Sequence, residues 1–266
     1  MCDNTILEIK TSQSAVLKQA FKKVSKFVAK ANIIFLQPNH DTSKTGGIRI
    51  LEFSENDKIS IKLNLDATNF DYFKCDEPKI TIDVNLVLLC KSLRAFNDDD
   101  SIVLYMNKDN INMLYIKSSS GTARNYEETL VEIPLIEITK SEFPLLQTTF
   151  ENKIMMSAQK IHSLCKQLGN LELIEITAGG SEIRFKGLNS DVATTRLYKD
   201  IDYQGHDTNV TKGIYKLEKL KHLSKCEKMC DFVEIYLKND FPLTLCIPVA
   251  NLGKMYVFID NLDKSN

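Results

Sequence analysis

The chain has 266 residues, 43% of them hydrophobic and 26% charged, with a formal net charge of −1; this lies in the globular range and leaves room for about two domains of 100–150 residues, each able to fold without disulfide or metal staples. Seven cysteines, none in a CxxC pair, read as reduced thiols, which excludes a secreted disulfide scaffold. The start MCDNTILEIK lacks a signal-peptide layout and no apolar run approaches the roughly 18 residues of a membrane span, so the expectation is a soluble, intracellular protein with no membrane partner.

Taken in order, residues 5–10 read as a strand, and residues 14–30 then change to helical spacing. Leu17, Ala20, Phe21, Val24 and Val28 fall on one stripe, while Lys18, Lys22 and Lys26 fall on the opposite one. Strands are expected at 48–53 and 59–65, after the turn formers Thr45, Gly46 and Gly47; Ile59, Ile61, Leu63 and Leu65 alternate with period two. A second helix is expected over 84–96, with Leu86, Leu89, Leu93 and Phe96 inward and Lys91 and Arg94 as its only charges. Strands at 102–106 and 111–117 flank a turn at 107–110.

The stretch 124–146 begins strand-like, NYEETLVEIPLIEI, and continues as KSEFPLL. Pro134 and Pro144 limit regular pairing, and Glu127, Glu128, Glu132, Glu137 and Glu142 keep the segment outside, so it reads as an extended connector. The expected division is residues 1–125, a connector over 126–146, and residues 147–266.

In the second half, a helix is expected over 157–168, with Ile161, Leu164, Cys165 and Leu168 inward and Lys160 and Lys166 outward. Strands at 173–177, 183–186 and 192–198 follow, the first two separated by Ala178, Gly179 and Gly180. The fourth helix, 215–229, turns Leu217, Leu220 and Leu223 inward and leaves Lys219, Lys221, Lys225 and Lys228 among its polar positions. Strands at 233–237, 243–247 and 256–259 complete the chain. A strand, a helix and a run of strands thus recur four times, which predicts an α+β fold of two similar domains, each a doubled β-α-β-β-β unit.

Charge is segregated on this plan. The four helical stretches hold 14 of the 34 basic residues but only two of the 35 acids, Glu218 and Glu227. Helix-borne cation beside strand-borne acid suggests one layer that faces nucleic acid on an otherwise acidic shell. Lysine dominates that layer, which suits sequence-independent contact with phosphates better than bidentate base readout.

The first helix SAVLKQAFKKVSKFV, then GGIRILEF, NFDYFKCDEPKITIDVNLVLLCKSLRAFNDDDSIVLYM, KIHSLCKQL and the ending FPLTLCIPVANLGKMYVFI with its Ala-x-x-Gly turn together resemble the DNA sliding clamps of the proliferating cell nuclear antigen family. The resemblance covers essentially the whole chain in order. It implies the DNA clamp fold: three subunits head to tail in a ring, helices lining the inner face and sheets outside, acting as a non-enzymatic polymerase processivity factor with no cofactor, at a nuclear or other site of replication. Lys18, Lys91, Arg94, Lys166 and Lys225 fall where the family places cations against the duplex backbone, and Lys22 and Lys26 share the first helix's stripe. Ser163 and Asn170 depart from positions where the family often has basic or imidazole groups.

The resemblance further implies a hydrophobic pocket beside the connector that takes short peptide motifs of DNA polymerase, ligase, nuclease and clamp loader. Its candidates are Phe53, Ile59, Ile61, Phe143, Leu145, Pro242 and Phe258, with Asp260 at the rim. For Phe53, Ile59, Ile61 and Phe258, periodicity alone does not separate a lined pocket from plain core. Subunit contact in the family would here pair residues 124–130 of one chain with 192–198 of the next.

Other readings carry less. His222, Cys226 and Cys230 share a helical face but lack a fourth metal ligand. His40 and His206 each precede an Asp, but no nucleophile elbow or phosphate loop occurs. Asp98, Asp99 and Asp100 read as a turn, and the sequon at Asn209 carries no weight without a secretory signal. The rival to a ring is an accessory scaffold that binds nucleic acid on an open surface.

Overall fold

Period-two burial builds most of this molecule, and a computed structural model describes residues 4–38, 45–54, 58–122, 125–137, 150, 152–199, 201–205 and 210–263. The elements of the first half are β1 (Thr5–Thr11), α1 (Ser14–Val24), β2 (Lys30–Leu36), β3 (Gly47–Ser54), β4 (Ile59–Leu65), β5 (Tyr72–Cys75), β6 (Lys79–Asn85), α2 (Leu86–Ser92), β7 (Ile102–Asn107), β8 (Asn110–Thr122) and β9 (Asn125–Pro134). Those of the second are β10 (Asn152–Ser157), α3 (Ala158–Gln167), β11 (Leu173–Gly179), β12 (Glu182–Leu188), β13 (Ala193–Lys199), β14 (Asp202–Gly205), β15 (Thr211–Lys216), α4 (Leu217–Leu223), β16 (Phe232–Leu237), β17 (Leu243–Val249) and β18 (Gly253–Ile259).

The chain divides into two compact units. Unit 1 comprises Met1–Glu52, Lys62–Glu142 and Val249–Lys254, and unit 2 comprises Phe53–Ile61, Phe143–Pro248 and Met255–Asn266. In unit 1 an antiparallel sheet runs β5-β1-β7-β8-β9, and a second set of strands runs β4-β3-β2-β6. In unit 2 the orders are β13-β12-β11-β15 and β14-β10-β16-β17-β18. Alternation sets the core: Leu7 and Ile9 of β1, Leu104 of β7 and Leu114 and Ile116 of β8 are at most 2% exposed, while the residues between them are half-buried. Each unit pairs two helices, α1 with α2 and α3 with α4. The doubled α+β plan expected from the sequence is therefore present in both.

Three helices are shorter than their apolar spacing predicts, α2 among them, since Val84 and Asn85 belong to β6 and Leu93–Ala95 form a 3-10 turn. α1 ends at Val24, Lys26 lies in the turn that follows, and Lys30 already belongs to β2, paired with Asn85 of β6. The ladder to β6 outcompetes helix propensity there, and Val28, read as helical, lies beyond the helix. α4 stops at Leu223 because Ser224 turns its Oγ back to the Lys221 carbonyl at 2.9 Å, so Lys225 and Lys228 follow the helix instead of riding on it. Asn85 and Ser157 cap α2 and α3 by accepting from the Leu88 and Lys160 amides at 3.0 and 3.2 Å. The stretch read as strand-like is strand β9 over 125–134, laddered to β8 as far as the Met113–Pro134 pair. β9 is an edge, so the missing Pro134 amide proton costs no bond to a further strand.

The turn into β3 is pinned tightly. Gly46 and Gly47 have φ of 61° and 110°, and a Cβ on Gly47 would stand 2.0 Å from the Leu65 carbonyl oxygen. Arg49 ties the same corner together, donating to the carbonyls of Gly46 at 2.7 Å and Leu65 at 2.6 Å and pairing with Asp66 at 2.9 Å. Gly47→Ala is expected to cost about 2 kcal/mol or more of stability, read as a fall of about 4–8 °C in Tm; an unchanged melting temperature would contradict the close approach.

Candidate nucleic-acid interface and partner pocket

The helices place cations by a rule of their own geometry. Each carries a basic residue in its last turn, Lys22 and Lys23 in α1, Lys91 in α2, Lys166 in α3 and Lys221 with His222 in α4. There the helix dipole and the unpaired carbonyls favour positive charge. Lys22, Lys91 and Lys166 are exposed on their helices, Arg94 is exposed on the 3-10 turn Leu93–Ala95 after α2, and Lys26 and Lys225 are exposed in the segments that follow α1 and α4. Lys160, exposed in the first turn of α3, joins this set although the resemblance did not single it out. In unit 1 the two helices bring their charges together: burial lifts the Cys90 thiol above its usual range, while Ser25, Arg94 and Lys22 pull it the other way.

Lys18 departs from its expected role. Its side chain is 14% exposed, and its Nζ donates to the carbonyls of Phe96 at 2.7 Å and Asn97 at 2.8 Å and faces Asp98 at 3.4 Å. An ammonium so committed is not free to meet a phosphate, so the stripe read from helical spacing loses its first member. The nearby acids form a turn as expected, Asp100 accepting from the Asn97 amide at 2.7 Å. In unit 2, Lys221 donates to the Gly169 carbonyl just past α3. Beside it, burial pushes the Cys165 thiol up to about 11 against the opposing pull of Lys221.

The described histidines of unit 2 have carboxylate neighbours, His222 with Glu218 at 3.2 Å and His162 with Glu227 at 3.7 Å. Among the described residues no group of three His, Cys, Asp or Glu side chains could hold a metal. His40 and His206 lie outside the described residues.

The pocket candidates separate by strand face. Ile59 and Ile61 are each 1% exposed and point into the core with Val257 and Ile259, so they are corrected to core residues. The period of two is the reason: the outward residues are Ser60 on β4 and Tyr256 and Phe258 on β18. Phe53, Pro242, Phe258 and Asp260 are all half-buried, and the Asp260 amide donates to the Lys58 carbonyl at 3.2 Å. Phe143 and Leu145 lie outside the described residues. Sequence reasoning missed the tyrosines of this face. Tyr236 packs on Phe150 with ring centroids 5.3 Å apart and donates its hydroxyl to Glu234, and Tyr256 stands near it. Burial first, then Cys246, pushes the Tyr256 hydroxyl up to about 12. Both faces of β17 are covered, leaving Thr244 and Cys246 at 3% and 0% exposure. The signal that could have found these tyrosines is the outward register of β16 and β18.

Two units of doubled strand-helix-strand topology, each with a helix pair bearing cations, define a class: the DNA clamp fold. The crystal structure of proliferating cellular nuclear antigen from Entamoeba histolytica has that fold, and it superposes with a TM-score of 0.85 at 16% identity, over 97% of this chain and 99% of that one. Residues 6–140 match the family profile for proliferating cell nuclear antigen, N-terminal domain. The chain therefore belongs to the proliferating cell nuclear antigen family, as a divergent member. A probable DNA polymerase sliding clamp of Acanthamoeba polyphaga mimivirus is 41% identical over 99% of this chain, which spans 64% of that relative's length. Probable DNA polymerase sliding clamp 1 of Paramecium bursaria Chlorella virus 1 is 25% identical, with 95% of each chain covered.

The two faces should respond differently to truncation. Ile59→Ala is expected to lose about 2–4 kcal/mol in urea unfolding, the range for a buried aliphatic side chain, whereas Phe258→Ala loses well under half as much; equal losses would return Ile59 to the outer face.

Proposed function

We propose that the chain is a non-enzymatic DNA polymerase processivity factor: three copies close head to tail into a ring around duplex DNA, with the helices inward and the sheets outward. The observation that carries this reading is the exposure of Lys22, Lys91, Arg94 and Lys166 on the helix pairs of a chain whose net charge is only −1. Lys26 and Lys225, on the segments after α1 and α4, complete the proposed backbone contacts, and Lys18 is left out of them. Contacts of this kind read no sequence, and each releases condensed counterion, so retention comes from closure of the ring and not from tight binding. No helix among the described residues is long and apolar enough to cross a membrane. The proposed place of action is a site of DNA replication, in a nucleus or a cytoplasmic replication compartment.

The edges of the sheets support assembly from identical chains. β9 is the last strand of its sheet and exposes Glu127, Glu128 and Glu132, and β13 is the last strand of its own and exposes Arg196 and Lys199. An acidic edge matched to a basic one favours heterologous pairing and disfavours either edge pairing with itself. In the domain scheme proposed with this function, residues 1–125 and 147–266 are joined over 126–146, a stretch whose first part, as far as Pro134, is strand β9 of the unit 1 sheet. Beside the connector, Phe53, Pro242, Phe258 and Asp260, with Phe143 and Leu145 of the connector side, form the proposed seat for short peptide motifs of polymerase, ligase, nuclease and clamp loader. Tyr256 extends its apolar floor.

Light scattering is expected to give a mass near three times 30.3 kDa, and the loaded protein is expected to stay on circular or end-blocked DNA while sliding off linear DNA. A monomer at micromolar concentration, or retention indifferent to DNA ends, would instead favour an open-surface binder. Replacing Lys91, Arg94 and Lys166 by Met is expected to lower the slope of log retention against log salt by about 0.9 for each phosphate contact removed, with no loss of trimer.

A further inference from the structure

Within each unit, one lysine of the helix layer serves the neighbouring helix. In unit 1 the end of α2 has no capping glycine: Leu93 continues in helical conformation, the chain tightens into a 3-10 turn, and Phe96 leaves in an extended one. The carbonyls of the segment that follows are met from α1. Ser14, fully buried at the start of α1, donates its Oγ to the Asp98 carbonyl at 2.9 Å, and Lys18, one turn further along the same face, takes the Phe96 and Asn97 carbonyls at 2.7 and 2.8 Å. In unit 2 the helices exchange roles. α3 closes on Leu168 and on Gly169 at a φ of 54°, and the Gly169 carbonyl is taken by Lys221 of α4.

We propose that Lys18 and Lys221 are structural tethers and not DNA contacts, each capping the turn by which the chain leaves its partner helix. The inference rests on the DNA-facing reading of the helices for its functional meaning, but the capping itself does not. Phe96 closes the 3-10 turn, Asn97 lies one residue past it and Gly169 one residue past the Leu168 cap, and an ammonium donating to such carbonyls makes a charge-assisted bond that holds the exit from the helix. A lysine aimed at DNA would instead keep its head in water. The same arrangement is reached from α1 in unit 1 and from α4 in unit 2, so it is not a by-product of one local sequence. Four of the fourteen basic residues counted in the helical stretches are then withdrawn from a polyanion, since Lys23 and Lys219 are each 6% exposed and Lys18 and Lys221 are committed to carbonyls. The lining charge counted from sequence is reduced accordingly.

The test compares Lys18→Met and Lys221→Met with Lys91→Met in the full-length protein. In DNA-free buffer the first two are expected to lower Tm by about 2–8 °C and Lys91→Met to leave it unchanged, while Lys18→Arg and Lys221→Arg recover most of the loss because they keep charge and donors. On end-blocked DNA, the salt slope of retention is expected to fall for Lys91→Met and to stay at the wild-type value for Lys18→Met and Lys221→Met. An unchanged Tm, failure of the Arg variants to recover it, or a salt slope that falls as far as for Lys91→Met overturns the proposal. If a Met variant does not fold, Lys18→Gln and Lys221→Gln are read by urea unfolding, and an unchanged midpoint counts against the cap. Absence of salt-dependent retention in the unsubstituted protein would sink the clamp reading alone, leaving the caps to be judged on Tm.

Discussion

A helix that buries one stripe and leaves the other, cationic one exposed has no second layer to hold it down, so it must be secured by its partner helix and by its ends. That constraint orders much of this molecule. Short helices of seven to eleven residues gain little from propensity alone and owe their stability to the apolar stripe. Their carbonyl ends have few intrahelical partners and collect cations by dipole and hydrogen bond together. Local satisfaction of the helix ends and a cationic surface therefore draw on the same lysines, and the structure divides them between the two roles.

That division explains what was legible in the sequence. The helical stripes of α1, α2 and α3, the alternation of β4, β16 and β17, and the recurrence of strand, helix and strands were all visible, because burial writes them directly into residue type. The ends were not. Helical spacing ran on through Lys30 and Met229, whereas the chain leaves the helix at Val24 for the β6 ladder and at Leu223 by a serine back-bond. β6, β10 and β15, each feeding straight into a helix, were passed over along with β2, β5 and β14, because a strand with no turn former before the helix gives no punctuation to read. Lys18 could not be separated from Lys22 by periodicity, since what removes it is a carbonyl 78 residues away in sequence.

The pocket follows the same logic in sheet form. The resemblance put Ile59 and Ile61 in the pocket lining, but one residue of register decides which face a side chain sees. β18 settles it locally: Val257 and Ile259 go inward, and Phe258 between them goes out. Tyr236, backed by Phe150, and Tyr256 stand beside the fully buried Cys246, so this surface is a second, smaller apolar layer and not a bare sheet. A peptide seated next to it would meet a floor already packed and preorganised, which limits the entropic cost of binding.

Edges pose the remaining problem, and the answer lies in the signs of charge. Open strands at β9 and β13 are hazards in a protein that keeps them unpaired, and either could recruit the wrong neighbour. Both faces of β13 are largely exposed, with Leu197 at 42%, and β9 exposes Leu130 at 47%, so each edge carries apolar surface as well as free backbone groups. Placing acids along one edge and bases along the other makes the two self-pairings repulsive and the mixed pairing attractive. A mixed pairing uses two different surfaces of the same chain, so it propagates from copy to copy until rotation closes it. Edge chemistry thus selects head-to-tail pairing over self-pairing, and the rotation between successive copies decides whether such a chain of copies closes; in the proposed ring the helix cations need only be weak, since topology holds the track.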